Sequence, residues 1–75
     1  MAYRVYKAIF IRNSEAVLVY FFLSEKPDLE KLSEQLKVLM KKSGENVVDC
    51  KWTEHEWGIV CKAGNWRIEI VEVNI

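Results

Sequence analysis

The sequence predicts one α+β domain of order β-β-α-β-β-β, a five-stranded antiparallel sheet with one amphipathic helix packed on one face. Three observations predict it. Two segments rich in Val, Ile, Tyr and Phe flank the polar break Arg12-Asn13-Ser14-Glu15, a leucine stripe at helical spacing follows Pro27, and three more apolar segments are joined by short polar turns. The chain has 75 residues with no linker, repeat or low-complexity stretch, so residues 1–75 read as a single domain. A domain of this size buries only about 60% of the surface its unfolded chain exposes, and such folds often lean on a second subunit, a metal or a disulfide.

Residues 2–12 and 16–23 read as a β-hairpin. With Asn13 and Ser14 at its tip, Arg12 faces Glu15, Ile9 faces Leu18, Lys7 faces Tyr20 and Val5 faces Phe22. Pro27-Asp28 then opens a helix, proline suiting the first turn because its missing N–H has no partner there. Asp28 and Glu30 complement the positive end of the helix dipole, and Lys41 and Lys42 the negative end. Leu29, Leu32, Leu36, Leu39 and Met40 form one stripe, and Gly44 is the expected left-handed stop.

Three strands follow, near 46–53, 57–63 and 66–73. Gly64-Asn65 is a two-residue turn signal that pairs Ala63 with Trp66, Cys61 with Ile68 and Ile59 with Ile70. Centring the preceding turn on His55-Glu56 pairs Trp52 with Ile59 and Cys50 with Cys61. Both registers give one inward face that includes Val48, Cys50, Trp52, Trp57, Ile59, Cys61, Ala63, Trp66, Ile68 and Ile70. The short connections are satisfied by strand orders such as 2-1-5-4-3 or 2-1-3-4-5. The element order resembles that of a ubiquitin-type β-grasp, but the short Ala63-Gly64-Asn65-Trp66 link makes the last two strands neighbours, which a β-grasp separates.

The first hairpin carries more apolar surface than one helix covers. One face holds Ala8, Phe10, Val17, Val19 and Phe21; the other holds Val5, Ile9, Ile11, Leu18, Tyr20 and Phe22, with Lys7 at its centre. The helix is expected on the first face, because a charge at mid-strand belongs on the wet side. The face around Val5, Ile9, Leu18, Tyr20 and Phe22 is then the expected partner interface, since large contiguous apolar patches on soluble domains mark interaction sites. A two-fold homodimer is the simplest partner, another protein that the domain binds or inhibits the next. The C-terminal residues Val71, Val73 and Ile75 are the alternative cover.

Composition narrows the function classes. The chain is 51% hydrophobic and 29% charged with zero formal net charge, so no overall field draws in polyanions. No secretory signal is visible, and the longest apolar run, Ala16 to Leu23, is far short of the roughly 20 residues a membrane helix needs. The expectation is a cytoplasmic protein with reduced cysteines and no membrane partner.

Catalytic material is scarce. Cys50, His55 and Cys61 are the only metal-like set, but a histidine at a hairpin tip lies about 16 Å of extended chain from Cys50. Glu54, His55 and Glu56 could do acid–base chemistry, yet a tip is solvated and lacks oxyanion donors. No phosphate-binding glycine loop and no Ser-His-Asp arrangement is present, so the chain reads as non-enzymatic, without cofactor or metal. The alternative function is single-stranded nucleic-acid binding through Lys51, Lys62 and Arg67 on the charged sheet face, where Asp49 is expected opposite Lys62.

Overall fold

A computed structural model describes residues 2–74. Its elements run β1 (Arg4–Arg12), β2 (Glu15–Ser24), α1 (Leu29–Lys42), β3 (Lys51–His55), β4 (Gly58–Ala63) and β5 (Trp66–Glu72). The strands form one antiparallel sheet of order β2-β1-β5-β4-β3, the first of the two expected orders. α1 carries the chain from the edge strand β2 to the opposite edge β3, and the β3-β4-β5 meander returns to place β5 beside β1, so the N- and C-terminal strands lie inside the sheet.

The helix is bounded by side-chain and backbone caps. Asp28 is the N-cap and its carboxylate accepts the Lys31 N–H at 3.1 Å, so Pro27 precedes the cap instead of occupying the first turn. At the other end Gly44 takes φ +73°. Its N–H donates to Lys41 O and that of Glu45 to Met40 O, the paired bonds of a Schellman motif. The stripe Leu32, Leu36 and Met40 is buried against Ala8, Phe10, Cys61, Ala63, Trp66, Ile68 and Ile70.

Two side-chain links fix the helix and the following loop to the sheet. Trp52 Nε1 donates to Ser33 Oγ at 3.0 Å. Glu45, just past the helix, accepts from Trp66 Nε1 and pairs at 3.1 Å with Arg12, whose guanidinium stands 5.8 Å over the Trp66 ring. This clamp joins the hairpin tip, the helix exit and β5.

The β4–β5 register matches expectation, with Ala63 opposite Trp66, Cys61 opposite Ile68 and Ile59 opposite Ile70. The β3–β4 turn sits one residue later than expected, on Glu56-Trp57, so Trp52 faces Cys61 and not Ile59. Partners slide by two positions and parity is kept, so Trp52, Ile59 and Cys61 stay on the helix side. Cys50 lies beyond the end of β3 and is not directly opposed to Cys61. Lys62 is opposed by Lys51, not by Asp49, whose partner is Lys37 on the helix at 3.5 Å. Trp57, expected inward, is exposed at the turn, where it stacks on His55 with centroids 5.3 Å apart; Val48 is also exposed.

The cause is visible at Gly58. A Cβ there would stand 2.2 Å from the Ile70 carbonyl oxygen, so only glycine can close the ladder against His55.

Candidate interaction surface

The hairpin tip forms as expected. Asn13 (φ +49°) and Ser14 (φ +68°) make a two-residue turn with Arg12 opposite Glu15 and Ile11 opposite Ala16. A β-bulge follows. Phe10 faces Leu18, so Val17 is the extra residue, and from there every β2 side chain is on the opposite face from the one an unbroken ladder would give. The register continues Ile9–Val19, Ala8–Tyr20, Lys7–Phe21, Tyr6–Phe22 and Val5–Leu23.

The expected partner face is therefore divided. Tyr20 and Phe22 lie on the helix side, packed against the core, with Leu18 on the same side but exposed, while Val5 and Ile9 are on the uncovered side. The helix covers Ala8 and Phe10 as expected, but Val19 and Phe21 are not beneath it. The bulge satisfies side chains that an unbroken ladder would leave in solvent. Tyr20 Oη donates to Gln35 Oε1 on the helix at 2.7 Å, and burial pushes its phenol pKa above the ordinary value, the Gln35 bond partly opposing this. Phe22 stacks on Tyr6 at 5.6 Å and meets Tyr20 at 5.9 Å, and Phe10 stacks on Tyr20 at 6.1 Å. These aromatics extend the core under the N-terminal half of the helix.

What remains open is a different apolar surface. Val5, Lys7, Ile9 and Ile11 of β1 share it with Val19, Phe21 and Leu23 of β2 and Val71 of β5. Phe21 is 60% exposed and Leu23 68%. Lys7 does not interrupt this patch: its ammonium lies 5.9 Å over the Phe21 ring while its alkyl stem adds to the apolar area. Val71 and Val73 do not fold over it. Val71 is a member of the β5 ladder opposite Lys7, and the Val73 N–H donates to Val5 O at 2.8 Å, continuing the pairing along β1; Ile75 lies outside the described residues.

β2 is also a free edge. Its ten residues carry an uncharged run from Ala16 to Leu23, and none of the usual protections of an edge, a lysine, a proline or an inward charge, interrupts that run. The one bulge sits near the tip, so Leu18 to Ser24 is regular strand with an unpaired row of backbone donors and acceptors.

Elsewhere the chemistry-bearing residues are dispersed. Cys61 is buried, and burial first, then the adjacent Cys50 thiol, push its pKa strongly upward, making it a poor nucleophile. His55 is bonded to Thr53 at 3.1 Å near the β3–β4 turn. Among the described residues no three His, Cys, Asp or Glu side chains are grouped to hold a metal ion, and no helix is long and apolar enough to cross a membrane. Comparison with protein-family models, curated proteins and solved structures finds no match for this chain.

Proposed function

We propose that the domain is a non-enzymatic protein-interaction module that pairs with a second copy of itself through the free edge of β2. The observation that carries this reading is an edge strand with an uncharged eight-residue run, Ala16 to Leu23, bordered by the exposed side chains of Val19, Phe21 and Leu23. An unprotected edge of this kind is a template for strand addition.

Symmetry narrows the geometry. Two antiparallel copies of one edge strand are related by a two-fold axis normal to the sheet, and directly opposed residues must share a face. One residue is therefore opposite itself. The two symmetric registers that use the strand most fully centre on Val19 and Tyr20. The Tyr20 register sets Glu15 of each copy against Glu25 of the other, a repulsive pairing. The Val19 register instead matches Leu18 with Tyr20 inside the regular part of the strand, an aliphatic side chain against an aromatic one. The product is a continuous ten-stranded sheet with both helices on one side and both open faces on the other.

Sedimentation velocity across a micromolar concentration series tests the reading. The expected result is a reversible dimer that Phe21→Glu and Leu23→Glu dissociate without loss of secondary structure. A monomer at every concentration sinks self-association, and the same edge would then be left to another protein.

A further inference from the structure

The other half of the open face carries a second surface. Lys51, Lys62 and Arg67 stand directly opposite one another on β3, β4 and β5. At the usual inter-strand spacing this is a cationic row about 10 Å long. Like charges directly opposed weaken a sheet, so folding alone does not favour the row. Glu69 offsets Arg67 at 3.1 Å, but neither Lys51 nor Lys62 has an acidic partner at salt-bridge distance among the described residues.

The row ends in a depression. The tips of the β1–β2 and β4–β5 hairpins lie side by side, tied by the Asn13 N–H donating to Asn65 O at 3.1 Å. Between them is a hollow of about 220 Å³ whose lining includes Asn13, Ser14, Lys62, Asn65 and Arg67. Two cations together with amide and hydroxyl donors suit a phosphate group, which accepts both charge-assisted and neutral hydrogen bonds.

The opposite end of the face offers an aromatic platform. Lys51, Thr53 and His55 alternate onto the same side of β3. Trp57, 52% exposed, stacks on the His55 ring with an interplanar angle of 12°. Lys51 and His55 are separated by about 13 Å of extended strand. A cationic track next to an exposed aromatic is the combination by which proteins hold single strands, the charges taking phosphates and the ring taking a base.

We propose that this face binds a single-stranded nucleic acid, with one phosphate in the hollow between the hairpin tips, the next along Lys62 and Lys51, and a base on Trp57. The site is independent of the β2 edge, because β1 separates the two surfaces and strand addition leaves it open.

The test is fluorescence anisotropy of a short labelled oligothymidylate at several salt concentrations, with the wild-type chain, Lys51→Gln/Lys62→Gln and Trp57→Ala. Two neutralised phosphates give a log–log salt slope of about −1.4, and the lysine double variant, which leaves only the Arg67 contact in the hollow, should reduce its magnitude by about 0.7. Trp57→Ala should weaken binding roughly tenfold at fixed salt with the slope unchanged. All three substituted side chains are exposed, and an unchanged circular dichroism spectrum confirms the fold of each variant. Millimolar inorganic phosphate should move the amide resonances of Asn13, Ser14 and Asn65. No anisotropy change at low salt, binding indifferent to these substitutions, or binding to anionic vesicles in place of the oligonucleotide overturns the proposal. Phosphate shifts without oligonucleotide binding overturn its nucleic-acid assignment.

Discussion

Phe21 and Phe22 are adjacent and chemically identical, yet the bulge at Val17 gives them opposite roles, so replacing each with glutamate tests the register directly. Phe21 is 60% exposed, and only about two-fifths of a full phenylalanine burial worth roughly 1.5–3 kcal/mol is at stake, or about 1 kcal/mol. Its carboxylate replacement would stay in water near Lys7. Phe22 loses its stack on Tyr6 and its contact with Tyr20, each worth about 0.5–1.5 kcal/mol beyond burial. Adding the transfer of its half-buried ring gives about 3 kcal/mol before any cost of placing a carboxylate under the helix. A chain of 75 residues has a total stability of about 4–11 kcal/mol, so Phe22→Glu should consume much of it. Urea denaturation followed by far-UV circular dichroism, at one protein concentration for both variants, reads the difference. Dimer loss alone would shift both midpoints alike. If Phe22→Glu kept the wild-type midpoint while Phe21→Glu unfolded, the bulged register would be refuted.

Four further outcomes are expected. Val19→Cys should form an intermolecular disulfide on mild oxidation, because residues opposed across an antiparallel pair fall within disulfide reach; preferential cross-linking of Tyr20→Cys would move the two-fold axis by one residue. Gly58→Ala should destabilise by about 3 kcal/mol or more in thermal or urea unfolding, since its Cβ meets the Ile70 carbonyl oxygen at 2.2 Å; a midpoint within experimental error of wild type would contradict that approach. Glu45→Ala removes the shared acceptor of Arg12 and Trp66 and should cost about 2–3 kcal/mol, and near-neutral stability would mean that water replaces the carboxylate. Cys61 has its folded-state pKa raised, so its contribution is present below the unfolded thiol value of about 8.5 and is lost as pH rises above it. The alkaline fall in stability should be shallower in Cys61→Ala, by up to about 1.4 kcal/mol per pH unit, and equal slopes would show that the buried thiol does not control it.

The features legible in the sequence are those that a single residue type enforces locally. Gly64-Asn65 fixed a turn and with it the β4–β5 pairs, and Gly44 with the flanking lysines marked the helix exit. The β3–β4 turn lies one residue beyond its expected place because Glu54 to Trp57 carries no strong turn pair; the signal for it is Gly58, whose need for close approach to Ile70 pulls the turn toward it. The faces are unaffected because a two-residue slide of the partners keeps parity. The bulge was not legible at all. Ala16 and Val17 are ordinary strand residues, no glycine or charge marks the inserted position, and both candidate faces of β2 are apolar. Only the tertiary setting separates them, through Gln35 waiting for the Tyr20 hydroxyl and Tyr6 for the Phe22 ring. The excess of apolar surface on the hairpin was readable from composition, but its address was not. The cationic residues were readable, whereas the opposition of Lys51 to Lys62 and the release of Trp57 depended on the turn.

The bulge has a kinetic consequence. Most strands are held in register because a one-residue slip would expose their greasy side, but on β2 a slip exchanges one set of hydrophobes for another. The apolar pattern of the hairpin therefore does not by itself separate the two registers, whereas the docked helix does, through the Tyr20–Gln35 bond. A hairpin formed early in the unbulged register would have to unzip before Tyr20 could reach Gln35. Folding should accordingly include a slow phase that shortens when Val19 or Phe21 is made polar, since such a change penalises the unbulged register more than the native monomer, in which both side chains are exposed.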